Sequence, residues 1–154
     1  MKSNSWVWFM ARLFVGIVFA YSGLTKLLAP IENFRGAIAE YQALPYAVVP
    51  FIALVLPWLE FIFGIFMILG YAIPLGAAVL SFLSLAFLLV LGASNVLLYS
   101  PWKDCGCFGQ TGPIHLKVWQ VFLLDLINFS IGLKLFLSKS HPVSLDRLFR
   151  KIFG

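Results

Sequence analysis

The sequence predicts an all-α membrane protein: a four-transmembrane-helix bundle with an interfacial helix on its outer side and an amphipathic helix at the C-terminus. Three observations predict it. Of the 154 residues, 62% are hydrophobic and 11% charged, whereas a soluble domain is about half apolar and about a quarter charged. Four segments match the roughly 20 apolar residues that a bilayer core demands. Their connections suit consecutive helices packed in series, each satisfying its own backbone within the hydrocarbon.

The first span is predicted at about residues 6–28. It also has the parts of a signal peptide: Lys2, an apolar run, and "AYS" ending at Ser22 as a cleavage site. Its length and the Arg12 inside it favour a retained span. "PIENFRGAIAEY" follows, with Ile31, Phe34, Ile38 and Tyr41 near one helical face and Pro30 suited to a first turn, which reads as a helix lying on the membrane. The second span covers about residues 48–69, and residues 70–74 make a tight uncharged turn. The third covers about 75–98, the fourth about 116–137, so residues 1–137 form one membrane domain. In the remaining tail, 138–154, Leu145, Leu148, Phe149, Ile152 and Phe153 follow an i, i+3, i+4 pattern apart from Arg147, Arg150 and Lys151, with Ser144 as a cap.

Four spans put both termini on one side. That side carries Lys2, Lys134, Lys139, Arg147, Arg150 and Lys151; the other carries Lys26, Arg35, Lys103 and Lys117. The bias predicts cytoplasmic termini. In a bacterial inner membrane the loop between spans three and four then faces the oxidising periplasm. The net charge of +5 orients the chain and meets anionic lipid. No RNA- or DNA-binding motif accompanies it, so nucleic acid is not an expected partner.

That loop, "SPWKDCGCFGQTGP", holds the only two cysteines, Cys105 and Cys107. One bridge is the maximum they allow. A disulfide between them needs Cα atoms roughly 4.4–6.8 Å apart and hence a tight turn, which Gly106 permits. Strained, exposed bridges are the labile and catalytic kind. Lys103 and Lys117 favour a thiolate, and Asp104 opposes it. Two alternatives stand beside redox use. A structural bridge closing so short a loop would constrain little chain entropy. A soft-metal site for copper, mercury or zinc, with Cys105, Cys107 and His115 as ligands, would make the protein a transporter or chaperone. A non-enzymatic assembly factor is a further alternative. No cofactor motif is evident. With no second cysteine pair, a quinone or another protein must accept electrons if the pair turns over.

Three charges lie inside the spans and are functional candidates by default. Arg12 lies roughly 9 Å in from one end of span one. Glu60 and Asp125 lie roughly 18 Å and 14 Å in from the outer ends of spans two and four. The expectation is an Arg12–Glu60 ion pair with Asp125 in the same layer. A proton site on the two carboxyls is the sharper reading. Lys26 is expected too close to the outer surface to reach Glu60, and to snorkel or contact the cysteine loop. Pro57 frees the Ala53 carbonyl within span two. Asn95 and Asn128 are expected to bond between helices. Trp6, Trp8, Trp102 and Trp119 fit interfacial belts, and Trp58 is expected to pack.

"RLFVGIVFAYSGLTKLLAPIENFRGAIAEYQALP" resembles the opening of the MauE family, within the wider DoxX-like superfamily. "PWLEFIFGIFMILG" resembles its second span, and "DCGCFG" the cysteine motif of the MauE branch. The resemblance runs from Arg12 to about Leu137. It implies a four-span inner-membrane protein linked to disulfide formation, with a thioredoxin-like partner in maturing the disulfide-rich small subunit of methylamine dehydrogenase. Cys105 and Cys107 are the residues it carries over, as a thiol–disulfide oxidoreductase pair.

Overall fold

The computed structural model describes residues 5–40, 45–93, 105 and 116–137. They form five helices: α1 (Ser5–Leu28), α2 (Ile31–Glu40), α3 (Val49–Leu69), α4 (Ile73–Ala93) and α5 (Val118–Leu137). No strand occurs among them. Every one of α1, α3, α4 and α5 is long and apolar enough to cross a membrane. The protein is a multi-pass, all-helical membrane protein. The predicted C-terminal amphipathic helix lies outside the described residues.

Local chemistry explains the boundaries. Pro50 sits in the first turn of α3, where its missing N–H costs no bond. Gly70 ends α3 in the left-handed conformation (φ 73°), and its N–H donates to the Phe66 carbonyl at 2.9 Å. Only two further residues precede α4, which starts at Ile73 and takes Pro74 into its first turn. The predicted turn is therefore shorter than expected, because a proline early in a helix starts it as readily as it ends one. At the head of α5, Gln120 Oε1 accepts from the Lys117 backbone N–H at 2.9 Å, the side-chain half of a capping box. α3 runs unbroken through Pro57.

The principal packings are α1 on α3 and α4 on α5, with α3 on α4 and α1 on α5 closing the bundle. α1 and α3 pack backbone to backbone. A Cβ on Gly23 would lie 2.6 Å from the Phe61 nitrogen, and one on Gly64 would lie 2.9 Å from the Ala20 Cα. Small residues permit such approach in lipid, where dispersion between helices replaces the hydrophobic effect. Gly16 meets Ile68, Ala20 meets Gly64 and Gly23 meets Phe61, so each step up α1 is one step down α3. Extended by that register, Leu28 at the end of α1 comes level with Leu56. α3 thus overshoots α1 by about 10 Å.

α2 fills the step. It packs mainly on α3, burying Phe34 and Ala37. Ile31, expected near the same helical face as Phe34, is exposed. Of the expected aromatic belt, Trp6 is exposed and Trp8 packs against the core of Val15, Phe19, Met67 and Leu80. Trp58 is 52% exposed. It points out of the bundle rather than packing within it, because its neighbours Pro57 and Glu60 occupy the inward face of α3.

Candidate functional site

Cys105 sits at the α2 end of the bundle, 3% exposed, in a small core with Leu91, Val118 and Val121. Its N–H donates to the Leu116 carbonyl at 3.0 Å, which ties it to the head of α5. The cysteine is disulfide-bonded. Lys117 is half-buried at the α5 cap. Lys103, Gly106, Cys107 and His115 lie outside the described residues, as do Asn95 and Trp102.

The intramembrane charges group differently from the sequence expectation. Glu60 is completely buried, and its partner is Lys26, not Arg12. Lys26 Nζ reaches the two carboxylate oxygens at 2.7 and 2.8 Å. Ser22 donates its hydroxyl to Glu60 Oε2 at 3.1 Å. Lys26 neither snorkels nor lies beyond reach, because the overshoot of α3 brings the last turn of α1 level with the middle of α3. The same register sends Arg12 to the opposite end. Its guanidinium lies against Gly70, where a Cβ would meet Nη1 at 2.7 Å, and over the Phe9 ring at 5.2 Å. Ten residues of α3, about 15 Å, separate Gly70 from Glu60. At the C-terminus of α3 a cation meets the negative end of the helix dipole.

Asp125, also buried, lines a cavity of about 20 Å³ with Ser22, Lys26 and Glu60. A polar cavity of this size holds about one water. Asn128, one turn along α5, does not bond between helices as expected: among the described residues both of its side-chain amide atoms lack a hydrogen-bond partner. The hydroxyls of Ser81 and Ser84 on α4 also lack one.

A second, larger cavity of about 240 Å³ lies between α2, α3 and α4, and Cys105 lines it. Phe87 lines both cavities. Lys26 Nζ lies 4.9 Å from the Phe34 ring centroid and 5.1 Å from that of Phe87. The charged cluster and the cysteine therefore flank one apolar chamber.

Sequence reasoning missed Lys26, Ser22 and the chamber. A signal existed for the first two. Ser22 and Lys26 are one turn apart on one face, beside the small residues Gly16, Ala20 and Gly23 that mark a close-packed seam.

The family described as "Methylamine utilisation protein MauE" matches residues 4–137. A protein of Paracoccus denitrificans named "Methylamine utilization protein MauE" is 30% identical over 128 residues, 79% of this chain and 64% of that protein. One of the same name from Methylophilus methylotrophus is 36% identical over 108 residues, 70% of this chain and 55% of that protein. The chain thus matches roughly 55% to 64% of the length of these relatives. No solved structure matches the chain significantly.

Proposed function

The chain belongs to the MauE family, and on that premise we propose that it is an inner-membrane thiol–disulfide exchange protein. Cys105 and Cys107 form its redox pair, and its task is disulfide formation during maturation of periplasmic proteins. Its relatives are named for methylamine utilisation, and a client in that process is part of the proposal. The termini face the cytoplasm and the cysteine loop the periplasm, following the Lys/Arg bias. A thioredoxin-like protein is the partner. The partner's thiolate attacks one sulfur of the bridge, a mixed disulfide forms, and the partner's second thiol resolves it. The partner leaves oxidised, and Cys105 and Cys107 are left as two thiols.

The observation that carries this reading is the disulfide state of a cysteine tied to the head of a span and set against an apolar cavity. The burial of Cys105 supports a division of roles. Its sulfur is closed to a protein thiol, so the attack falls on Cys107 and Cys105 is the leaving thiol. The test is trapping in intact cells. Cys105→Ser, which keeps Cys107, is expected to accumulate a mixed disulfide with a periplasmic thioredoxin-like protein, and Cys107→Ser is not. Trapping by neither variant, or a pair that holds stoichiometric metal in place of a bridge, overturns the reading.

A further inference from the structure

We propose that the chamber beside Cys105 is the binding site for a lipid-soluble quinone, which reoxidises the cysteine pair. The proposal rests on the thiol–disulfide reading above and names the electron acceptor that reading lacks.

Four features of the chamber select this occupant. Its walls, including Phe34, Leu83, Ala86, Phe87 and Leu91, are hydrocarbon apart from Cys105. A charged or strongly hydrated acceptor would lose its hydration there without compensation. The occupant must come from the lipid phase. The size suits one ring: an apolar cavity on the order of 150 Å³ takes benzene, and this one has about 240 Å³. Phe34 and Phe87 offer aromatic surface for offset stacking. The fourth feature separates a quinone from a lipid tail. One wall is the redox cysteine. Behind Phe34 and Phe87 lies Lys26, held by Glu60 and sharing a water-sized cavity with Asp125. An acyl chain needs neither electrons nor protons; a quinone needs both.

The step balances. The Cys105 and Cys107 thiols form one S–S bond and give up two electrons and two protons. The quinone's two carbonyls take these up and become the hydroxyls of the quinol. Burial that closes Cys105 to a protein partner leaves it facing the chamber. On this proposal the partner exchanges with Cys107, and the quinone reacts beside Cys105. The Lys26, Glu60 and Asp125 cluster stands on the far side of the Phe87 ring as the proton-carrying group.

The test uses the full chain in lipid nanodiscs, reduced, freed of reductant and mixed with decylubiquinone. Quinol is expected to form one-for-one with cysteine pairs lost, read by absorbance and by thiol mass-tagging. Ala86→Trp, which places a ring inside the chamber, is expected to slow quinol formation by about tenfold or more, since a filled pocket excludes the ligand. Its helical circular dichroism should match that of the unsubstituted protein, and that match reports an intact fold. A photoactivatable quinone on the unsubstituted protein should label α2 or the Leu83–Leu91 stretch of α4. Thiols that exchange with glutathione but not with quinone, labelling elsewhere, or an Ala86→Trp protein that makes quinol at the full rate would each overturn the inference and leave the proposed function standing. Thiols that exchange with neither sink the proposed function itself.

Discussion

The two principal helix pairs solve the same problem in different ways. α1 and α3 bring their backbones together through Gly16, Gly23 and Gly64 and pair the Glu60 carboxylate across the seam: Lys26 and Ser22 both donate to it. α4 and α5 also approach closely, with Gly132 against the Ser81 hydroxyl. Their inward polar atoms, on Ser81, Ser84 and Asn128, remain without hydrogen bonds among the described residues. The first pair is locked by charge; the second carries polar groups that contribute little to holding it. In a hydrocarbon interior this difference decides the sign of a mutation. Removing one partner from a satisfied charge pair strands the other, whereas removing an unsatisfied amide strands nothing.

Lys26→Met should have the largest effect. It leaves Glu60 buried without its cation, and breaking such a pair costs about 3–5 kcal/mol, read as lost thermal stability in detergent or nanodiscs. Adding Glu60→Gln should recover much of that loss. A double variant no more stable than the single would mean that the two groups do not depend on each other, and the comparison fails on its charged side. Gly64→Val comes next. Its side chain must displace the Ala20 backbone, and forced overpacking costs about 1–3 kcal/mol. Gly36 has nothing within 4 Å of its added Cβ, so Gly36→Ala, measured in parallel, should be close to neutral; equal losses at both would deny the close seam. The smallest effect belongs to the other pair. Asn128→Leu is expected to be neutral or stabilising, because the amide it removes is buried without a partner. A loss as large as that of Lys26→Met would reveal a bonded network around Asn128 and erase the contrast.

Much of the architecture is legible in the sequence, and the reasons are local. A run of about 20 apolar residues is a span wherever it lies, so all four were visible from composition alone. Gly70 marks the end of α3 because few other residues accept its φ of 73°. Cys105 and Cys107 stand out as the chain's only thiols, and the intramembrane acids Glu60 and Asp125 stand out because charge is rare in hydrocarbon. What the sequence could not supply is which charge meets which. Counting depth from each helix's own end assumes helices that start level, and that assumption put Arg12 beside Glu60. The packing sets the level instead. Gly16, Ala20 and Gly23 lock onto Gly64 and its neighbours at the closest backbone approach, and this slides α3 about 10 Å past α1. The slide carries Lys26 to Glu60, leaves Arg12 at Gly70, and makes the step that α2 covers. The chamber beside Cys105 opens between α2, α3 and α4. No residue in the chain encodes that space; it exists only where three helices, set by one register, fail to touch.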